Sequence, residues 1–529
     1  MATRIAATDI TELSADELAR SIASGEVSSR EAVEALVRRI EQVNPRLNSF
    51  VVERFAEARK EADLADARRA RGEPSGLLDG VPITIKESYD VQGLPSTVGL
   101  ASRASHKAES DAPTVARLRE AGAVILGKTN VPQLVMLNET DNPVYGRTNN
   151  PWNLERAVGG SSGGCAATVA SGGAPLSLGS DIGGSVRLPA NACGIHSLKP
   201  TSTRLTMRGH VDVFPGQEAI ICQPGPLARS VADLSLAMRI LAAPGQEAID
   251  PSVPPVAWRD PAAVSLAGLR VAFYTDNGVI RPAPAARRAV DAAARALAAR
   301  GVEVEEWTPP DVREAWRIYR RLLFADATRV ARRIVGRDPR DWRINIFLRT
   351  FGLPRSLLRI GAWELSLLGQ KYLAESARLM GRQHVDEYWQ AVSDRRQYRA
   401  RFIESLDAGR FDAILCPVEA VPAVPHGGSF YLVDSISYTS LYNLLGMPAG
   451  VVAATRVRAS EETDRAPRRD LVERAALKAE RGSAGLPVGV QVVARHWREE
   501  IALALMSALE EHFSAQPDYP ARPPLPELL

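Results

Sequence analysis

The spacing of apolar residues predicts amphipathic helices in the first part of the chain. The spacing that places side chains on one helical face is seen at Val33, Leu36, Val37 and Ile40. Ser14 and Ser28 are each followed three positions later by a glutamate, a pattern typical of a capped helix start. We therefore expect residues 1–75 to form N-terminal helices.

Short apolar runs farther along the chain predict strands. The runs rich in β-branched residues are 80–85, 123–126, 412–417 and 485–493. Helices are predicted around them at 111–121, 166–170 and 499–512. This alternation favours an α/β sheet with helices packed on both faces.

Two segments differ in composition from the rest. Residues 310–406 are rich in arginine and predicted to be helical, and residues 458–481 are so highly charged that we expect a solvated, partly helical insertion. Within the first segment, residues 345–359 mix large apolar side chains with arginines between Trp342 and Trp363. Such a mixture occurs in helices that lie in a membrane interface, but also in a helical lid with solvated arginines, which is our expectation here.

Composition excludes several classes of function. The chain has 529 residues, of which 45% are hydrophobic and 24% charged, as is ordinary for a soluble globular protein. A net charge of +3 indicates no general affinity for nucleic acid. No apolar run is long enough to span a membrane and no secretory signal precedes the first helices. The cysteines form no CxxC pair, so we expect reduced thiols in a cytoplasmic protein; they are Cys165, Cys193, Cys222 and Cys416.

The candidate chemistry lies in two glycine-rich runs. Ser161 is in the run GGSSGG at 159–164, and Ser185 follows 24 positions later in the run GSDIGGSVR at 179–187. Runs of glycine are used where backbone N–H groups must approach an anion or an oxyanion closely. Lys86 directly follows the apolar run 80–85, so burial could lower its pKa. The negative charge of the adjacent Glu87 would oppose that lowering.

Three other motifs point elsewhere and are rejected. GAVILGKT at 122–129 fits the phosphate-binding P-loop pattern, but a helix precedes it and its middle residues are a strand, which reverses the required order. GGSSG at 159–163 fits the nucleophile elbow of α/β-hydrolases, but the preceding residues 153–158 are a poor buried strand. The seven histidines have no metal-ligand spacing with cysteines or carboxylates.

The order of Lys86, the GGSSGG run and the GSDIGGSVR run resembles the amidase signature family. The resemblance extends from about residue 13 to about residue 506. It implies a single domain over 1–529: an α/β/α sandwich whose large twisted mixed sheet is covered by helices on both faces. The implied regions are N-terminal helices (1–75), the signature core (76–235), a helical cap (310–406) and the C-terminal part of the core (407–529).

The resemblance also implies a role for each motif residue. Ser185 would be the nucleophile, Lys86 the general base, and Ser161, held by a cis peptide bond, the bridge between them. The oxyanion hole would be formed by the backbone N–H groups of Ile182, Gly183, Gly184 and Ser185. Supporting roles in the two loops would fall to Ser162, Asp181 and Arg187.

The substrate implied is an amide, hydrolysed without metal or cofactor. The C-terminal stretches 438–452 and 485–500 resemble the fatty acid amide hydrolase branch, which implies an apolar acyl group bound partly by the cap. Other functions stay open as alternatives: a general aryl or aliphatic amidase, a carbamate hydrolase, a catalytically silent binding protein and a glutamine-hydrolysing amidotransferase subunit. The partners expected are a small-molecule amide and no nucleic acid; peripheral membrane contact through 342–363 and a homodimer are kept as further hypotheses.

Overall fold

One large mixed sheet organises the protein. The computed structural model describes residues 10–73 and 76–525, so residues 1–9, 74 and 75 of the predicted N-terminal region lie outside it. The strands are β1 (Phe50–Glu53), β2 (Pro82–Lys86), β3 (Val124–Thr129), β4 (Asn149–Asn150), β5 (Asn153–Ala157), β6 (Leu176–Asp181), β7 (His196–Lys199), β8 (Gln223–Ala228), β9 (Arg270–Phe273), β10 (Glu303–Glu306), β11 (Ala413–Pro417), β12 (Ala449–Arg456) and β13 (Pro487–Ala494).

Within the described residues, eleven strands pair in the order β1-β3-β2-β6-β8-β7-β12-β13-β11-β9-β10. The pairs β3-β2-β6 and β11-β9-β10 are parallel and the others antiparallel. β4 and β5 form a separate ribbon, so β5 does not lead from the central sheet to Ser161 as a nucleophile elbow would require.

The helices cover both faces of this sheet, which confirms the predicted fold class. They are α1 (Ala15–Ser24), α2 (Ser29–Leu47), α3 (Phe55–Ala70), α4 (Pro113–Glu120), α5 (Gly163–Ala170), α6 (Arg187–Cys193), α7 (Val231–Leu241), α8 (Pro284–Ala298), α9 (Val312–Leu323), α10 (Arg329–Val335), α11 (Trp342–Phe351), α12 (Arg355–Leu367), α13 (Lys371–Leu379), α14 (Val385–Ala408), α15 (Ser437–Leu445), α16 (Leu471–Glu480) and α17 (Glu499–Ser514). Helices α9 to α14 form the predicted helical segment 310–406.

Alternation along the strands divides the core into two layers. On β11, Ala413 and Leu415 pack into an apolar cluster with α7, α8 and α17. Ile414 and Cys416 point to the opposite face and pack into a cluster with α9, α14 and α15. The helical cap and α15 therefore lie on one face of the sheet.

Several local predictions are confirmed. Ser14 and Ser28 form capping boxes at the starts of α1 and α2. The strand predicted at 123–126 continues to Thr129, because Lys128 pairs with β1 on one side and with β2 on the other. Since Lys128 lies inside a strand, it cannot hold a phosphate as a P-loop lysine does.

The charged segment 458–481 is partly helical, and residues 458–460 and 466–469 are exposed as predicted, but the rest of it is not fully solvated. Helix α16 buries Val472 and Ala476 in the cluster beneath the cap. Arg465 pairs with Glu480 at 2.7 Å, and their side chains are only 4% and 0% exposed. Mutual pairing lets charged residues be buried, which overall charge content does not reveal.

Candidate active site

The carboxyl end of β2 places a lysine inside the protein. β2 lies between β3 and β6, and all five of its residues are buried. Lys86 has no exposed surface, and its Nζ lies 2.7 Å from Ser161 Oγ and 2.9 Å from Ser180 Oγ. Burial lowers the pKa of the Lys86 amine to about 8. A substantial fraction is therefore neutral near physiological pH.

Glu87, the neighbour expected to oppose this effect, points elsewhere. Its carboxylate accepts hydrogen bonds from the amides of Thr97 and Val98. Burial raises the pKa of the Glu87 carboxyl, and the positive charge of Lys128 opposes that rise. Glu87 therefore interacts with groups other than Lys86.

The GGSSGG run carries Ser161 to the lysine. The peptide bond Gly160–Ser161 is cis, as the resemblance implies. A Cβ atom at Gly160 would lie 2.4 Å from Leu137 O, and one at Gly164 would lie 2.3 Å from Asn130 N. Because backbone rather than a flexible side chain occupies this space, the run must be glycine to pass between these segments.

The second loop brings Ser185 to the same place. β6 ends at Asp181, and Ser185 lies just before α6. Ser162 joins the two loops, since its amide donates to Ser185 O at 3.1 Å and its hydroxyl contacts Ser180 O at 3.3 Å. Within the described residues, the Ser185 hydroxyl has no hydrogen-bond partner, and it lines the same cavity as Ser161.

Two hydroxyls from other helices fix the peptide planes of this loop. Tyr319 on α9 donates to Ile182 O at 3.1 Å, and Thr439 on α15 donates to Gly183 O at 2.8 Å. The Ile182 C=O and the Gly183 N–H belong to the same peptide. Because the C=O and N–H of a trans peptide point in opposite directions, the Gly183 N–H points away from Tyr319. The Gly184 N–H instead donates to Asp181 Oδ1 at 2.8 Å.

A buried ion pair supports the loop from below. Arg187 contacts both carboxylate oxygens of Asp181, and it also donates to Thr439 O, to Gln491 Oε1 and to Asn443 Oδ1. Burial alone would raise the pKa of the Asp181 carboxyl, but the charge and hydrogen bonds of Arg187 outweigh it and hold that pKa below its usual range. Asp181 is therefore a permanent anion.

The cavity in front of the serines has about 230 Å³ of space. One part of its wall is apolar and includes Val135, Leu205, Met207, Val213, Phe214 and Ile220. Its charged lining consists of Asp212, Glu218 and Asp250, with no lysine or arginine among the described residues that line it. A second cavity, of about 130 Å³, shares Val213 and Phe214 with the first and extends towards Leu322 and Ala331 under the cap.

The structure brings all the predicted site residues together and adds others. Ser180 lies within the predicted GSDIGGSVR run, so its proximity to the motif was a usable signal. Tyr319 and His210 lie in segments with no recognisable catalytic motif. Their contacts arise only when the cap and the 203–214 loop fold over the sheet.

Comparison with known proteins identifies the family. The family model described as Amidase matches residues 31–503. The chain belongs to the amidase family. It is accordingly a hydrolase that acts on amide bonds.

Individual relatives of this amidase differ in what they act on. Fatty-acid amide hydrolase 1 of Sus scrofa is 34% identical over 499 residues, covering 93% of this chain and 84% of the relative. One component of the glutamyl-tRNA(Gln) amidotransferase of Roseiflexus castenholzii is 33% identical over 525 residues, covering 95% and 96%. The solved structure of a fatty acid amide hydrolase superimposes with a TM-score of 0.84 at 28% identity, covering 96% of this chain and 86% of that one. Because these identities are similar, they do not decide the substrate, which has to be inferred from the site.

In this amidase, no helix of the described residues combines the length and the apolar character needed to cross a membrane.

Proposed function

We propose that this amidase hydrolyses carboxylic amides through Ser185, Ser161 and Lys86. The observation that carries the proposal is the 2.7 Å contact between a fully buried Lys86 Nζ and Ser161 Oγ, at the cavity that Ser185 lines. A neutral lysine is a base, and a serine hydroxyl next to it can pass a proton between lysine and nucleophile.

Acylation begins with proton transfer. Lys86 takes the hydroxyl proton of Ser161, which takes the proton of Ser185 as Ser185 Oγ bonds to the amide carbon. The carbonyl electrons move to the oxygen, which the amides of Ile182, Gly183 and Ser185 can bind. Gly184, the fourth amide of the predicted oxyanion hole, is already engaged by Asp181. This leaves three donors for the oxyanion.

Collapse of the tetrahedral intermediate breaks the carbon–nitrogen bond. The proton held by Lys86 returns through Ser161 to the leaving nitrogen, so that a neutral amine departs. Water then loses a proton along the same path and attacks the acyl carbon, which releases the carboxylic acid and restores Ser185. Esters enter the same cycle at the acylation step.

The acyl group that this cavity favours is apolar. Val213 and Phe214 contribute to both cavities, so an acyl chain that passes them reaches the apolar space beside Leu322 under α9. Glutamine fits less well, because its α-carboxylate would meet carboxylates and no cation on the described lining. The relative named fatty-acid amide hydrolase 1 supports the same substrate class.

A peripheral membrane contact through 342–363 is part of the proposal. Large apolar side chains of α11 and α12 face solvent, among them Trp342 at 51%, Leu357 at 53% and Trp363 at 63% exposure. Several exposed large apolar side chains on two consecutive helices are typical of a protein or membrane contact. We take a lipid surface as its partner, because it would deliver apolar amides beside the cap. A homodimer and a cytoplasmic location stay predictions.

Covalent labelling tests the proposed nucleophile. A fluorophosphonate probe should label the wild-type protein and leave Ser185→Ala unlabelled, while Lys86→Ala should label more slowly by orders of magnitude, as expected for loss of a general base. Ser185→Ala that labels and hydrolyses like the wild type would refute the assignment. Ser235→Ala, at a half-buried serine on α7 whose hydroxyl donates to Val231 O, is the matched control.

A further inference from the structure

His210 is connected to the catalytic lysine through two hydrogen bonds, with the Ser180 hydroxyl between them. Its Nε2 is 3.0 Å from Ser180 Oγ and 2.9 Å from Ser88 Oγ. Ser180 Oγ is in turn 2.9 Å from Lys86 Nζ. The imidazole also lines the cavity that holds Ser161 and Ser185. No motif indicates this histidine, and none of the steps proposed above uses it.

The imidazole is held rigidly. The backbone of His210 forms an antiparallel bridge with that of Tyr89, and Val211 N donates to Ser88 O at 2.8 Å. The rings of His210 and Tyr89 meet edge to face, with centroids 4.7 Å apart. Nε2 is therefore fixed between the two serine hydroxyls.

The direction of these hydrogen bonds matters for the base. A neutral amine has two N–H bonds and one lone pair, and Lys86 can take a proton from Ser161 only if the lone pair points there. A hydroxyl has a single proton. If Ser180 donates that proton to Nε2, it offers Lys86 only lone pairs and must accept an N–H from it. If Nε2 carries a proton, Ser180 is free to donate to the lysine and to block its lone pair.

The surroundings keep the imidazole neutral. Burial lowers the pKa of His210 to about 3, and the positive charges of Lys86 and Lys128 act in the same direction. The other titratable groups that face Lys86 are Cys222, Cys165 and Asp181. Since His210 is uncharged throughout the working pH range, only its tautomer decides whether Nε2 accepts.

We propose that His210 is a positioning residue whose Nε2 accepts the hydrogen bond of Ser180 and so turns the lone pair of Lys86 towards Ser161. The proposal rests on the proposed function, in which Lys86 is the general base. The proton on the ring is at Nδ1. His210 acts through Ser180 and touches no reacting atom.

Two substitutions distinguish the effect of losing the hydrogen-bond acceptor from the effect of changing the side-chain shape. His210→Gln retains a hydrogen-bond acceptor with similar reach, and His210→Leu has none. With an acyl p-nitroanilide, we expect His210→Leu to lower kcat about tenfold or more with KM nearly unchanged, a fraction of what proton transfer contributes. Its acid limb in the pH profile of kcat/KM should also move to lower pH, because a Ser180 hydroxyl that donates to the Lys86 lone pair stabilises the neutral amine. His210→Gln should recover most of kcat and the original limb.

A double-mutant cycle keeps the test valid if His210→Leu lowers stability. Ser180→Ala removes the hydroxyl through which His210 acts, so the double variant should be no slower than Ser180→Ala alone. Effects that multiply independently would overturn the proposal. Equal loss in His210→Gln and His210→Leu, or a wild-type kcat and pH profile in His210→Leu, would overturn it as well.

The same measurements distinguish this inference from the proposed function. If Ser185→Ala retains labelling by the fluorophosphonate, the proposed function fails whatever His210 does. If Ser185→Ala and Lys86→Ala are inactive while His210→Leu turns over like the wild type, only the role of His210 is refuted. Thermal unfolding of each variant reports whether the fold is intact.

Discussion

Asp181 and Arg187 form an ion pair with no exposed side-chain surface, 2.9 Å apart at Asp181 Oδ1, beneath the loop that carries Ser185. The same carboxylate oxygen accepts the Gly184 amide. Removing one charge would leave the other buried without a counterion, which typically costs about 3–5 kcal/mol. We therefore expect Asp181→Asn to reduce the free energy of unfolding by about that amount, measured by denaturant titration.

The control for this prediction is an exposed pair. Arg20 and Asp16 on α1 lie 3.0 Å apart with side chains 71% and 47% exposed. Asp16→Asn should cost less than about 1 kcal/mol, because water screens such pairs. Equal losses in the two variants would contradict the importance given to burial.

Tyr319, on the cap helix α9, orients the peptide whose N–H is one of the proposed oxyanion donors. Tyr319→Phe removes the hydroxyl that holds Ile182 O, which frees the peptide that carries the Gly183 N–H. We expect kcat to fall about tenfold with little change in KM, less than the 10²–10³ typical for complete loss of a donor. Tyr398→Phe is the matched control, because its buried hydroxyl donates to Pro310 O, away from the cavity. A similar fall in both variants would indicate a general packing effect instead.

The pKa of Lys86 sets a pH dependence. In the proposed mechanism the neutral amine is the active form, so we expect activity to be lost as pH falls below the pKa and to level off above it. We expect kcat/KM on an acyl p-nitroanilide to rise about tenfold per unit towards pH 8 and then become constant, in line with the pKa of about 8. A profile that is flat between about pH 6 and pH 10 would rule out Lys86 as the titrating base. Thermal unfolding over the same range should accompany the assay.

Acyl chain length tests the apolar cavities. In a p-nitroanilide series from acetyl to long-chain acyl, kcat/KM should rise with chain length, because each buried methylene contributes roughly 0.8 kcal/mol. Phe214→Ala should extend the preference to longer chains by widening the passage at Phe214, which lines both cavities. Phe347→Ala removes a ring from the same aromatic group without lining either cavity, so it should leave the profile unchanged. A flat wild-type profile would refute the apolar acyl preference but leave amide hydrolysis intact.

The exposed apolar surface of α11 and α12 predicts binding to lipid. The double variant Trp342→Ser/Trp363→Ser should co-sediment with anionic vesicles several-fold less than the wild type, because it removes two large apolar side chains from the contact. Leu64→Ser, at a 61% exposed position on α3, should bind like the wild type. If the wild type binds no vesicles but elutes as a dimer that the double variant abolishes, the surface is an interface between two copies of the chain.

Local pattern was sufficient for much of this protein. Periodicity and capping serines predicted α1, α2 and α17, because a helix face and a helix cap involve residues three or four positions apart. The order of Lys86 and the two glycine-rich runs predicted which residues the structure brings together at the candidate site, since loops that must approach backbone closely require glycine in sequence. Burial of the Arg465–Glu480 pair within the segment 458–481 was missed, because this pairing depends on where α16 packs.

The sequence by itself determined the class of fold and the residues proposed to react; the tertiary structure decided how those residues are held. Tyr319 reaches Ile182 only because α9 packs over the sheet, and His210 reaches Ser180 only because its loop pairs with the residues after β2. Lys86 is an ordinary lysine in the sequence, and its pKa is lowered only because the fold removes water from it. Hydrogen-bond partners and desolvation are properties of neighbours in space, and no local pattern records them.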